Sequence, residues 1–125
     1  MGPDLVSTSF SIKALEADDT FYMCHGQQGE WLLKGISFVS SGAVSGSSNK
    51  FTLAVTDKDG TNTVATTYDS ETTAVVEGTA ASLTMTEAGV AREFGVTDSV
   101  KFVYDETGTV SIDLQIVCAW QKARV

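Results

Sequence analysis

Several sets of residues in this sequence have types and spacings that could do chemistry. Asp57-Lys58-Asp59-Gly60 begins like a calcium loop, in which acids at alternate positions supply oxygen ligands. The pattern then departs: Gly60 comes early, Thr61 replaces the next acid, and Tyr68 stands where a bidentate Glu is required. Alternating runs flank the stretch, so it reads as an Asp-Gly hairpin turn. Cys24-His25 offers a nucleophile beside a base. Neighbours on a strand point to opposite faces, so the two would not meet, and His25 reads as a surface or capping residue. Asp18-Asp19 and Asp105-Glu106 are paired acids at predicted turns. General acid–base work needs two carboxylates facing one cleft, whereas turn acids are usually solvated. Trp31 and Trp120, with Tyr22, Tyr68 and Tyr104, could form a sugar-stacking platform. Trp120 and Tyr104 fall in step with core positions, which favours core or subunit contact. No Cys/His cluster has metal spacing, and no Gly-rich loop precedes a helix. The expectation is a protein with no catalytic residues, no metal and no cofactor.

The elements that hold these residues have a period of two nearly everywhere. Phe10, Ile12 and Ala14 alternate with Ser9, Ser11 and Lys13; Phe21 and Met23 share a face of a short second strand. Trp31 to Val39 reads as a third strand bent at Gly35, because Gly inside a strand often marks a bulge. Phe51, Leu53 and Val55 precede the Asp-Gly turn and TNTVATTY follows it. Residues 69–79 fit a loop or a short strand around Val75-Val76. SLTMT puts Leu83 and Met85 in step, and Glu87 to Val96 reads as a connection with one buried anchor, Phe94. Val100, Phe102 and Tyr104 form another alternating run. The last is the longest: Val110, Ile112, Leu114, Ile116, Cys118 and Trp120 point one way, Ser111, Asp113 and Gln115 the other. No segment carries convincing helix start and stop signals. About eight short strands joined by turns predict an all-β fold, an antiparallel β-sandwich. Phe51, Leu53, Phe102, Ile112, Leu114 and Ile116 are expected in its core.

Composition narrows the function classes. The 125 residues carry 16 acids against 8 bases, for a net charge of −8. Such a surface repels phosphate backbones, so nucleic acid is not an expected partner. No apolar run approaches membrane-spanning length, and no membrane partner is expected. MGPDLVSTSF has no basic region followed by an apolar core, so no signal peptide is expected. Cys24 and Cys118, both inside strand-like runs, read as free buried thiols. Residues 1–8 show no clear core pattern and read as a flexible N-terminal arm before a single domain over 9–125.

The order of features resembles a known family. GISFVSSGAVSG, FTLAVTDKDGTNTVAT, ASLTMT, FGVTDSVKFVYD and TVSIDLQIVCAW follow the strand-and-turn plan of small jelly-roll proteins of tailed bacteriophage virions. These serve as capsid decoration (cement) proteins or head-fibre bases. Thr97-Asp98 stands where the family pattern has Gly before the Asp. The resemblance implies a jelly roll without an active site, made in the host cytoplasm and placed on the virion surface. It implies the major capsid protein as partner, and self-association as a homotrimer. The end of the last strand, IVCAWQKARV, has apolar residues on both faces, and a strand with two apolar faces is normally covered on both. Leu5, Val6, Val117, Ala119 and Trp120 are therefore the expected subunit or capsid contacts. The alternative is a glycan- or receptor-binding β-sandwich module.

Overall fold

The computed structural model describes residues 5–15 and 17–123. They form nine strands and one short helix: β1 (Leu5–Leu15), β2 (Asp19–Met23), β3 (Trp31–Ser40), β4 (Lys50–Asp57), β5 (Thr63–Asp69), β6 (Ala81–Ser82), α1 (Glu87–Ala91), β7 (Glu93–Phe94), β8 (Val100–Thr107) and β9 (Ile112–Lys122). Every paired strand is antiparallel.

The pairing order is that of a rolled-up hairpin. β1 pairs with β9, β2 with β8, β3 with β6 and β7, and β4 with β5. Rolling this long hairpin lays β9 against β3 and β8 against β4. The result is one sheet of order β1-β9-β3-β6, with β7 also on β3, and a second of order β2-β8-β4-β5. That arrangement is a jelly roll, within the antiparallel sandwich that the alternation and its turns predict, with β7 as a short addition to the eight-strand plan.

The two inner faces make one core. Phe51, Leu53, Phe102, Ile112, Leu114 and Ile116 are all buried in it. Phe51 stacks on Tyr104 and Phe38 meets Tyr68 edge-on, with ring centroids 5.2 and 4.9 Å apart. Phe21 stacks on Phe102 nearby, at 5.7 Å. The bend expected at Gly35 is a shift of register between Leu33 and Gly35 where β3 pairs with β9. The Asp-Gly stretch closes the β4–β5 hairpin, with Gly60 at a φ of 74° and its N–H donating to the Asp57 carbonyl.

Four expectations need correction. The free arm does not extend over residues 5–8, because Val6 and Thr8 take inward positions opposite Trp120 and Cys118. The Thr8 hydroxyl accepts from Trp120 Nε1 at 2.8 Å and donates to Met23 Sδ at 2.9 Å. Residues 1–4 of that arm lie outside the described residues. The strand expected around SLTMT shrinks to Ala81–Ser82, although Leu83 stays buried and Met85 bridges to Ala65. The connection after it contains α1, whose N-cap Thr86 accepts from Gly89 N–H at 2.9 Å. Finally, Cys118 is buried but Cys24 is exposed, and both are free thiols.

Two substitutions test this packing. Leu114→Ala should lower unfolding free energy in urea by about 2–5 kcal/mol, the usual cost of emptying a buried leucine site; a loss below about 0.5 kcal/mol would contradict the assigned face. A Cβ at Gly89 would collide with the Val64 carbonyl oxygen on β5. Gly89→Ala should therefore lower the melting temperature even though alanine favours helix, and an unchanged or raised melting temperature would contradict that contact.

Candidate functional site

The residues with chemical potential are spent on structure. The strand expected to carry Cys24 and His25 ends at Met23, so strand geometry does not apply to them; Cys24 is exposed, and His25 is not a surface residue, being 1% exposed. Its Nδ1 accepts from Gln27 N–H at 3.0 Å, because a backbone N–H can only donate. Its Nε2–H is then shared between the carbonyls of Phe94 and Gly95, at 3.0 and 3.1 Å. The ring lies against Trp31 and Trp120. His25 thus ties the β2–β3 turn to the segment before β8, with both ring nitrogens engaged.

Asp57 holds the hairpin turn that its own sequence begins. Its Oδ1 accepts from the N–H groups of Thr61 and Asn62, and its Oδ2 from Asn62 Nδ2 at 2.8 Å. Arg92 Nη1 lies 3.7 Å from Oδ2, and its guanidinium also sits over the Phe94 ring. Burial pushes the Asp57 carboxyl up, but these Asn62, Thr61 and Arg92 contacts outweigh it and hold it below the usual carboxylate range.

The two acid pairs come together at one end of the four-stranded sheet, but three of the four acids are not in turns as expected: Asp19 begins β2, and Asp105 and Glu106 lie within β8. Asp19 sits opposite Tyr104, and Asp18 Oδ1 accepts from Glu106 N–H at 2.9 Å. Glu106 accepts in turn from the Tyr104 hydroxyl at 3.1 Å. Burial, and then the Glu106 contact, push the Tyr104 hydroxyl up. This is a cap and a core-anchoring link. The proposed aromatic platform does not form: Trp31, Trp120, Tyr68 and Tyr104 are buried, and only Tyr22 is exposed. Burial alone pushes the Cys118 thiol up to about 12, which makes it a poor nucleophile.

The five expected contact residues divide between two faces. Trp120 is 1% exposed and belongs to the core, so it is no surface contact. Period-two alternation puts it in line with Leu114 and Ile116, and Thr8 satisfies its indole N–H. Val6 also faces inward and packs on the core. Leu5, Val117 and Ala119 lie on the outer face of the five-stranded sheet, with Leu5 69% exposed.

Those three residues belong to a larger surface. Cross-strand register aligns Ser7, Ala119 and Gly35 in one row, Ser9, Val117 and Ser37 in the next, and Ser11, Gln115 and Val39 in a third. These are small or uncharged side chains on a broad sheet face. Met85 and Leu83 border it beside Gly35, where a shallow groove runs. Among the residues of β1, β3 and β9 the single acid is Asp113, which pairs with Lys13 at 3.8 Å. The other sheet's strands hold Asp19, Asp57, Asp69, Asp105 and Glu106. The five-stranded sheet thus carries two acids, Asp113 and Glu93 of β7, in a strongly acidic protein. Sequence reasoning named Val117 and Ala119 but missed Ser7, Ser9, Gly35, Ser37 and Val39. Their signal was present as two acid-free runs, LVSTSFSIKAL and WLLKGISFVS, in a chain of net charge −8.

Fold and surface together define a jelly-roll β-sandwich with one sheet face of mostly small, uncharged residues, whose charges are Lys34 and the Lys13–Asp113 pair. No family model, curated protein or solved structure matches this chain.

The Asp57 network gives a pH prediction. A carboxyl depressed in the folded state contributes stability that is present above its unfolded value, near about pH 4, and is lost as pH falls through the folded value. Asp57→Asn should lower stability at pH 7 and flatten the loss of stability between about pH 4 and pH 2, relative to the native sequence. Parallel curves for the two proteins in acid would contradict the assignment.

Proposed function

We propose that this chain is a non-enzymatic structural protein of a tailed-phage virion. It sits on the head as a capsid decoration protein, with the major capsid protein as its partner. The observation that carries the reading is the outer face of β1, β9 and β3, whose single acid, Asp113, is paired with Lys13, on an otherwise acidic body. Like-charged bodies repel at range, and a neutral face lowers that cost at the point of contact. Small side chains let an opposing surface approach the sheet closely. Leu5, Val117 and Ala119 supply apolar area in that face, as expected for the centre of an interface. The jelly-roll strand order agrees with the fold that the sequence resemblance implies. His25 and Asp57 hold turns, and Asp18 and Glu106 link the start of β2 to β8, which suits a structural role.

A glycan-binding module calls for several exposed aromatic rings around one groove. Of the five candidate rings only Tyr22 is exposed, at 55%, so this reading has less support.

Pelleting of the purified protein with undecorated heads of the parent virus tests the proposal. Val117→Glu places a charge between Ser9 and Ser37 in the middle row. It should weaken particle binding about tenfold or more without lowering the melting temperature appreciably. Thr20→Glu, on the outer face of the other sheet, should bind as the native protein does. Absence of binding by the native protein, or equal binding by all three, would overturn the reading.

A further inference from the structure

We infer that two copies of this chain associate through the free edge of β1, antiparallel about a two-fold axis, to form one continuous sheet. The inference rests on the fold and does not depend on the capsid reading, and it sets a two-fold dimer in place of the homotrimer that the sequence resemblance implies.

The sandwich treats its two open sides differently. On the β5–β6 side the edges are sealed. Thr66 N–H donates to the Thr84 carbonyl at 2.7 Å, and Thr86 N–H to that of Val64 at 3.0 Å. The far edge of β3 is covered by two strands of two residues each and by Leu83, whose N–H donates to the Ile36 carbonyl. Very short edge strands and covered edges are the usual protection against unwanted strand pairing.

The β1–β2 side lacks that protection. β1 is outermost in its sheet, and among the described residues no strand lies on its other edge. It has 11 residues, no proline and no acid, and its register with β9 is regular from Leu5 to Ile12. One charge, Lys13, stands near its end. β2 is outermost in the sheet beneath. Between the two edges Phe10 and Phe21 meet at 5.2 Å and are only half-buried. A long, flat, uncharged edge beside half-exposed aromatic rings is a template for strand addition.

The sequence of the strand selects a second copy as the occupant. An isologous antiparallel pair must keep outer-face residues opposite outer-face residues, so slips of one position are excluded. With Ser9 of each copy facing the other, Ser7 meets Ser11 and Leu5 meets Lys13 on the outer face. On the inner face Thr8 meets Phe10 and Val6 meets Ile12. This register uses residues 5–13, brings no like charges opposite each other, and sets small against small along the serine row. Slipping by two toward the C-terminal end would set Leu5 against Leu15, across the irregularity between Ile12 and Leu15, and slipping the other way would shorten the pair to residues 5–11. Charge points the same way. Two bodies of net charge −8 repel, and β1 is an edge with no acid at all.

Sedimentation equilibrium of the full chain across a concentration series tests the inference, with melting temperature as the control for folding. The native protein should show a monomer–dimer equilibrium. The pair Ser7→Lys with Ser11→Lys puts like charges opposite each other twice, and should raise the dissociation constant about tenfold. It does so while reducing the net negative charge, so relief of general repulsion would act in the other direction. The pair Ser7→Asp with Ser11→Lys puts opposite charges together twice and should restore the dissociation constant to the native value or below. A monomer at every concentration, a trimer, or a dimer indifferent to the double-lysine change would overturn the inference. So would a dimer weakened by that change but not recovered by the charge swap.

Discussion

The position of β9 between β1 and β3 is the constraint on which the rest of the molecule depends. Residues Leu114 to Gln121 align with β1 on one side and with β3 on the other, so β9 becomes a central strand of its sheet. Its inward residues Ile112, Leu114, Ile116, Cys118 and Trp120 are all buried. The strand is long because it must span both neighbours and reach from the Phe51–Tyr104 end of the core to the His25–Trp31 end. The first and last strands thereby meet in space: Val6 lies opposite Trp120. Long-range pairing of this kind carries a large loop-closure cost and slows folding, a general property of sandwich topologies.

Much of this was legible from alternation alone, because a period of two has one physical meaning in a half-buried sheet. The runs Phe51–Val55, Val100–Tyr104 and Ile112–Trp120 needed no other information. What escaped were places where a polar atom does a buried job. Thr8 looks like part of a polar arm until its hydroxyl is seen between Trp120 Nε1 and Met23 Sδ. A lone His25 looks solvated until the Phe94 and Gly95 carbonyls, 69 and 70 positions away, are brought to it. Helix α1 is five residues long, too short for a periodic signal, and is held by Thr86 and by the approach of Gly89 to β5. Trp120 was misassigned to an interface because the outer positions beside it, Val117 and Ala119, are apolar as well.

The candidate surface was legible only in part, for a related reason. Alternation marks residues that face inward, whereas a docking face is marked by what it lacks. The absence of acid from β1 and β3 becomes meaningful once register shows that those strands flank β9 and share one outer face. The same sheet combines two features suited to assembly: a flat face of small residues, and a long bare edge at β1. In the opposite sheet acids occupy the strands, the 84–86 segment seals the β5 edge, and the bare edge at β2 is only five residues long.

Amide hydrogen exchange of the chain, free and bound to undecorated heads, tests the central claim most directly, because it reads each strand separately. The docking account predicts that binding slows exchange in β1 and in the outward-facing positions of β3 and β9, while β2, β4, β5 and β8 exchange as they do in the free protein. Slowing concentrated in β2 and β8, with β1 and β9 unchanged, would contradict it.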